Sequence, residues 1–228
     1  MTKRRFDLRN VVKIGVTCLA VCMMFSGCDK NPNGNGDDPI EPPGPDRVVI
    51  NGVTWASRNV DEPGTFAEKP ESFGKLYQWN KKTAWATSGS VSGWSGTALT
   101  THTQWQAIND PSPDGWRIAT KADFDKLLEK SKVSCERTTR NGVYGHKFTD
   151  LTTKATLFFP GVVYRNYDKG SLSSGGSGGL VSSGWYWSST RLNEGQAYYV
   201  YLPAGGSDGS IKEGFYFDYG LTVRCVLK

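Results

Sequence analysis

Residues 184–202 read GWYWSSTRLNEGQAYYVYL. Aromatic side chains crowd two short runs, 185–190 and 197–202, a composition that favours strands over helices. Successive side chains of a strand face opposite ways. The second run therefore divides into Tyr198, Val200 and Leu202 on one face and Ala197, Tyr199 and Tyr201 on the other. The first set is expected in the core. The second is expected to face outward, where a tyrosine combines an apolar body with a polar tip suited to recognition. Trp185 and Trp187 likewise share a face, and with Trp116 they are expected to fill the interior, because rings of that size dominate cores.

Strand signals continue on both sides of this stretch. RVVINGVTW (47–55) holds an Asn51-Gly52 pair between apolar runs, the strongest short hairpin cue. GVYGHKFTD (142–150) and KATLFFPGVVYRN (154–166) read as strands, the second reaching a Pro160-Gly161 turn. Near the C-terminus, EGFYFDYG (213–220) and 220–227 add two more. Between 55 and 94, Trp55, Trp79, Trp85 and Trp94 are scattered among Gly, Ser and Thr, which suits short strands and loops pinned by large rings. GWRIATKADFDKLLEKS (115–131) predicts a helix over 121–130, with Thr120 as cap, Asp123 three residues on, and Phe124, Leu127 and Leu128 at helical spacing. The Gly/Ser connection GSLSSGGSGGLVSSG (170–184) is not a phosphate loop, since neither Gly-Lys-Ser/Thr nor a helical pattern follows it. The reading is one α+β domain over 47–228, made mostly of short antiparallel strands and loops with one or two helices.

The chain begins differently. Lys3, Arg4, Arg5 and Arg9 precede an uncharged run from Ile14 to Phe25, shorter than the roughly 20 residues a bilayer crossing needs. Basic, apolar and then small residues describe a secretory signal peptide over 1–27. It finishes in Phe25-Ser26-Gly27-Cys28, which resembles the bacterial lipobox. That likeness implies cleavage before Cys28 and lipidation of its thiol. Residues 28–46 follow as an acidic tether rich in Pro and Gly, with too little apolar surface to fold. The expected localisation is the outer membrane at the cell surface, held by the N-terminal lipid anchor.

Processing reshapes the other arguments. The formal charge of +5 includes five cations and one acid within 1–28, so the mature chain is close to neutral. No cationic cluster marks a nucleic-acid footprint, and no nucleic-acid partner is expected. Of five cysteines, Cys18 and Cys22 leave with the signal and Cys28 is acylated. Cys135 and Cys225 then either pair as a disulfide or stay apart as two buried thiols, and sequence cannot supply the geometry that decides. His102 and His146 lack a ligand pattern, so neither a metal nor another cofactor is expected.

Six ordered blocks carry a family resemblance: DPSPDGWRIATKADFDKLL, TRNGVYGHKF, LFFPGVVYR, GWYWSST, AYYVYL and YGLTVRCV. Together they resemble the Fibrobacter succinogenes major paralogous domain of bacterial surface lipoproteins, over nearly all of 49–228. The resemblance implies a C-type-lectin-like fold and no established catalytic reaction. Two positions depart from it. Ser112-Pro113 stands where the family often has Cys-Pro; if that cysteine normally pairs with the one matching Cys225, Cys225 here has Cys135 as partner or none. Ile118-Ala119-Thr120 stands where Leu or Met followed by Pro-Thr is usual.

The function expected is binding of a glycan or protein without catalysis, through an aromatic C-terminal face. Its candidate contacts are Tyr199, Tyr201, Asp208, Ser210, Tyr216 and Asp218, with Ser207 beside them, since binding loops favour Tyr, Ser, Asp and Gly. No Glu-Pro-Asn, Gln-Pro-Asp or Trp-Asn-Asp triplet is present, so calcium-dependent sugar binding of the lectin type is not expected. The alternative is a structural subunit of a surface assembly. An enzyme related to formylglycine-generating enzymes is a third and weaker reading, resting on fold analogy alone.

Overall fold

The computed structural model describes residues 46–97, 99–173, 183–206 and 208–228. The expected signal peptide, Cys28, all but the last residue of the expected tether, Ser207 and 174–182 of the Gly/Ser connection lie outside the described residues. Asn51 and Gly52 both take positive φ, 45° and 74°, and so turn β1 (Arg47–Ile50) back onto β2 (Val53–Asn59). Antiparallel pairing then builds a sheet in the order β1-β2-β12-β4, with β12 (Arg224–Leu227) between β2 and β4 (Trp116–Ile118). The last strand of the chain thus fastens to one of the first.

The single α-helix among the described residues, α1 (Lys121–Leu127), starts as its sequence predicts. Thr120 accepts from the Asp123 amide, and the Asp123 carboxylate accepts from the Thr120 amide, the reciprocal capping box. Phe124 and Leu127 are buried. The helix stops at Leu127 rather than Lys130, because Leu128 leaves helical geometry at ψ 5°. A 3-10 turn spans Ala107–Asn109.

Two three-stranded antiparallel sheets make up most of the rest. β5 (Val133–Arg140), β6 (Val143–Asp150) and β7 (Thr156–Pro160) stand in that order, and the order in the other is β10 (Ser210–Tyr216), β9 (Gln196–Leu202), β8 (Gly184–Asn193). β3 (Tyr77–Gln78) pairs with β11 (Gly220–Leu221). The strand expected over 220–227 is therefore two, split at Thr222-Val223 where Thr222 bridges Tyr186 instead. All described residues belong to one unit, and no helix among them is long and apolar enough to cross a membrane.

The β8–β9–β10 sheet divides the interior. On one face Tyr186, Val200 and Leu202 join Trp55, Phe124, Phe148 and Phe159 in a first core; on the other, Trp187 and Ala197 join Tyr77, Trp79, Phe217 and Cys225 in a second. The guanidinium of Arg224, fully buried, lies 4.3 Å from the Phe159 ring and donates to the carbonyls of Ala56 and Phe158.

Candidate functional site

Register sets the aromatic face. Trp185 sits opposite Tyr201 and Trp187 opposite Tyr199 across β8 and β9, so all four point to the second-core side of the sheet. The structure corrects the outward assignment of that side. Ala197 and Trp187 are fully buried and Tyr199 is half-buried, because the second core covers this end of the sheet. Trp185 and Tyr201, ring centroids 5.4 Å apart, are half-buried like Tyr199, and Trp185 packs against the second core without being fully enclosed in it. Trp116 is half-buried edge-on against Phe66, and Tyr198, expected in the core, is half-buried with Lys121 above its ring.

A β-bulge completes the surface. Pairing of β10 with β9 skips between Lys212 and Phe215, leaving Glu213 and Gly214 out of register. Gly214 takes φ 84° and its carbonyl accepts from the Gln196 side chain. The bulge presents Phe215, which lies 4.6 Å from Tyr199, 4.5 Å from Tyr219 and 5.6 Å from Tyr164, all edge-on. Tyr167 extends the row beyond Tyr219 at 5.5 Å. A groove of about 240 Å³ lies among Tyr164, Gly214, Phe215, Tyr216 and Tyr219. At its margin Tyr216 is 58% and Tyr167 63% exposed.

The hydroxyls separate these tyrosines from those of the core. Tyr77 donates to the Asp61 carbonyl, and Tyr186 donates to the Pro160 carbonyl at 2.6 Å. Within the described residues, the phenols of Tyr164, Tyr167, Tyr199, Tyr201, Tyr216 and Tyr219 bond to nothing, as is also true of Tyr144 and Tyr198 away from this face; what sets the six apart is that they gather in one place. Burial raises the pKa of Tyr199 and Tyr219, helped by neighbouring phenols, so both stay neutral donors at physiological pH.

The other candidates stand elsewhere. Asp208 pairs with Lys130 at 2.8 Å, beside a cavity of about 210 Å³ under Leu127, Leu128 and Cys135. Ser210 is opposite Tyr201 and half-buried. Asp218 accepts from the Thr97 amide and so fastens the 95–97 segment. The structure therefore brings Tyr199, Tyr201, Ser210 and Tyr216 to one sheet and turns both acids to other tasks. Reasoning from sequence missed Tyr164, Tyr167 and Tyr219 as contacts; the spacing of VVYRNY and FYFDYG marks them as aromatic, but only tertiary packing places them together.

Cys135 and Cys225 are free thiols, the first at the margin of one core and the second within the other. Burial pushes Cys135 up to about 11 and Cys225 up to about 12. Cys225 Sγ instead lies 3.1 Å from Ser112 Oγ. No group of three or more His, Cys, Asp or Glu with metal-binding geometry occurs among the described residues. Comparison with known protein families, with characterised proteins and with solved structures finds no match.

Proposed function

We propose that this chain is a lipid-anchored surface protein of the outer membrane that binds a glycan or protein ligand through its aromatic face, without catalysis. The gathering of unbonded phenols around one groove carries this reading. Tyr77 and Tyr186 in the core are bonded to backbone carbonyls, whereas the hydroxyls of the face have no partner among the described residues and can donate to or accept from a ligand. The proposal includes a C-type-lectin-like domain resembling the Fibrobacter succinogenes major paralogous domain. In its support, the six blocks fall on β4 and α1, on β5 to β9 and on β11 and β12, and Ser112, where that family often has cysteine, touches Cys225.

Assembly by strand addition takes second place. The β10 edge is broken by the bulge and carries exposed Lys212 and Glu213, and the β5 edge carries exposed Glu136, Arg137 and Arg140, features that oppose edge pairing. Thiol chemistry is disfavoured too, because reactive cysteines need lowered pKa values and both here are raised. The test is binding to a panel of glycans and surface proteins, comparing the native chain with Tyr201→Ala/Tyr216→Ala of equal stability. Loss of a ligand in the variant is expected. Self-assembly into large species with no ligand retained by either form would overturn the proposal in favour of a structural role.

A further inference from the structure

Resting on that reading, the geometry points to a neutral saccharide, docked through one sugar ring in the groove of Tyr164, Phe215, Tyr216 and Tyr219, as the ligand of the aromatic face. Three observations converge on it. The first is size: about 240 Å³ is below the ~300–1,000 Å³ of sites that enclose drug-sized molecules, and an open groove of this volume suits one ring of a longer chain.

The second is charge. The lining residues are four aromatics and a glycine, with no carboxylate, ammonium or guanidinium among them. Lys212 and Glu213 are exposed in the adjoining bulge but do not line the groove, and Asp218 and Asp208 are engaged elsewhere, by the Thr97 amide and by Lys130. An acidic polysaccharide or a charged peptide would set ions against a lining that has no group to pair them, and unpaired charges are costly to desolvate. A neutral ligand pays no such penalty.

The third is chemical match. Each phenol both donates and accepts, as a sugar hydroxyl does, and the ring planes offer apolar faces for the C–H side of a pyranose. Tyr216, the most exposed groove ring, can shift to meet a ligand, whereas Phe215 is wedged between Tyr199, Tyr164 and Tyr219 and forms a fixed floor. The bulge at Gly214 sets this up: after it Phe215 falls opposite Ala197, on the Tyr199 side, with Tyr216 at the strand end, and the Gln196 amide holds the turn.

Affinity electrophoresis tests the inference with the full-length chain in a non-glycosidic detergent. The probes are neutral polysaccharides (mannan, xylan, hydroxyethyl cellulose), acidic ones (polygalacturonate, heparin) and a mixture of bacterial surface proteins. Retardation by at least one neutral polysaccharide is expected, weakened at least tenfold in Tyr216→Ala and partly restored in Tyr216→Phe, which keeps the ring and loses the hydroxyl. Tyr216 is exposed, so the alanine variant keeps its fold, checked by unchanged melting. Binding only to acidic polysaccharides or only to proteins, and sensitive to Tyr216, would overturn the saccharide inference and leave the binding reading standing. Absence of any Tyr216-sensitive binding would overturn both.

Discussion

Replacing Ser112 by cysteine should lock the chain covalently to its last strand. Ser112 Oγ lies 3.1 Å from Cys225 Sγ, a side-chain approach that needs only about 1 Å of further closure to reach the ~2.05 Å of a disulfide. Both partners are held: the Ser112 amide donates to the Asp110 carboxylate, and Cys225 sits in β12 opposite Ile118. The bridge would close 113 residues of chain. On a chain-entropy basis that is worth ~4.8 kcal/mol, and strain from the remaining closure is expected to reduce it to about 3–4 kcal/mol. For a domain of this size each kcal/mol moves the melting temperature by about 2–4 °C, so a rise of roughly 6–16 °C is expected. The assay is thermal unfolding of Ser112→Cys with and without reductant, together with mass spectrometry of non-reduced peptides. Two alkylatable thiols at 112 and 225 after air oxidation would refute the contact, and a bridge from residue 112 to Cys135 would refute the placement of the two cores.

Two further outcomes concern titration. Burial raises the Asp123 carboxyl, but bonds from Arg117 at 2.6 and 3.2 Å and from Thr120 outweigh it and hold the group below its ordinary range. Its stabilisation is present above the unfolded pKa near 3.9 and is lost as pH falls through the folded value. Asp123→Ala should therefore cost about 2 kcal/mol at pH 7 by urea unfolding, through the lost cap and ion pair, with the difference from wild type shrinking below pH 4; a constant difference would show that the carboxylate is not the source. His146 is fully buried in β6, and burial lowers its pKa against the opposing pull of the Gly206 backbone. For a base so lowered, stability is full above the unfolded value near 6.5 and declines as pH falls below it, so His146→Leu should flatten the stability profile between pH 7 and 5. An unchanged slope in that variant would assign the acid sensitivity to other groups.

How much of this was legible depended on the range of the interactions involved. The Asn51-Gly52 hairpin, the Thr120/Asp123 capping box and the strand expected over 197–202 rest on neighbours within a few residues, and each forms where the sequence places it, the strand starting one residue earlier at Gln196. β5 was missed because VSCERTTR is polar and mostly exposed; its strand character comes from pairing with β6 across the Asn141-Gly142 turn, where both residues take positive φ. The short strands β3 and β4 had no periodicity to betray them and exist through distant partners in β11 and β12.

The candidate site shows the same division. Alternation alone put Tyr199 and Tyr201 on a common face and Val200 with Leu202 on the other, and the register agrees. It could not tell that the outward-looking face is itself half-covered, since that requires Trp79, Phe217 and Cys225 to arrive from elsewhere in the chain. By itself the sequence determined one mixed domain and an aromatic C-terminal sheet, because these follow from composition and local periodicity. Tertiary structure alone decided which rings are floor, rim or core and which acids were already engaged, because exposure and free hydrogen-bonding capacity are properties of packing between segments far apart in sequence.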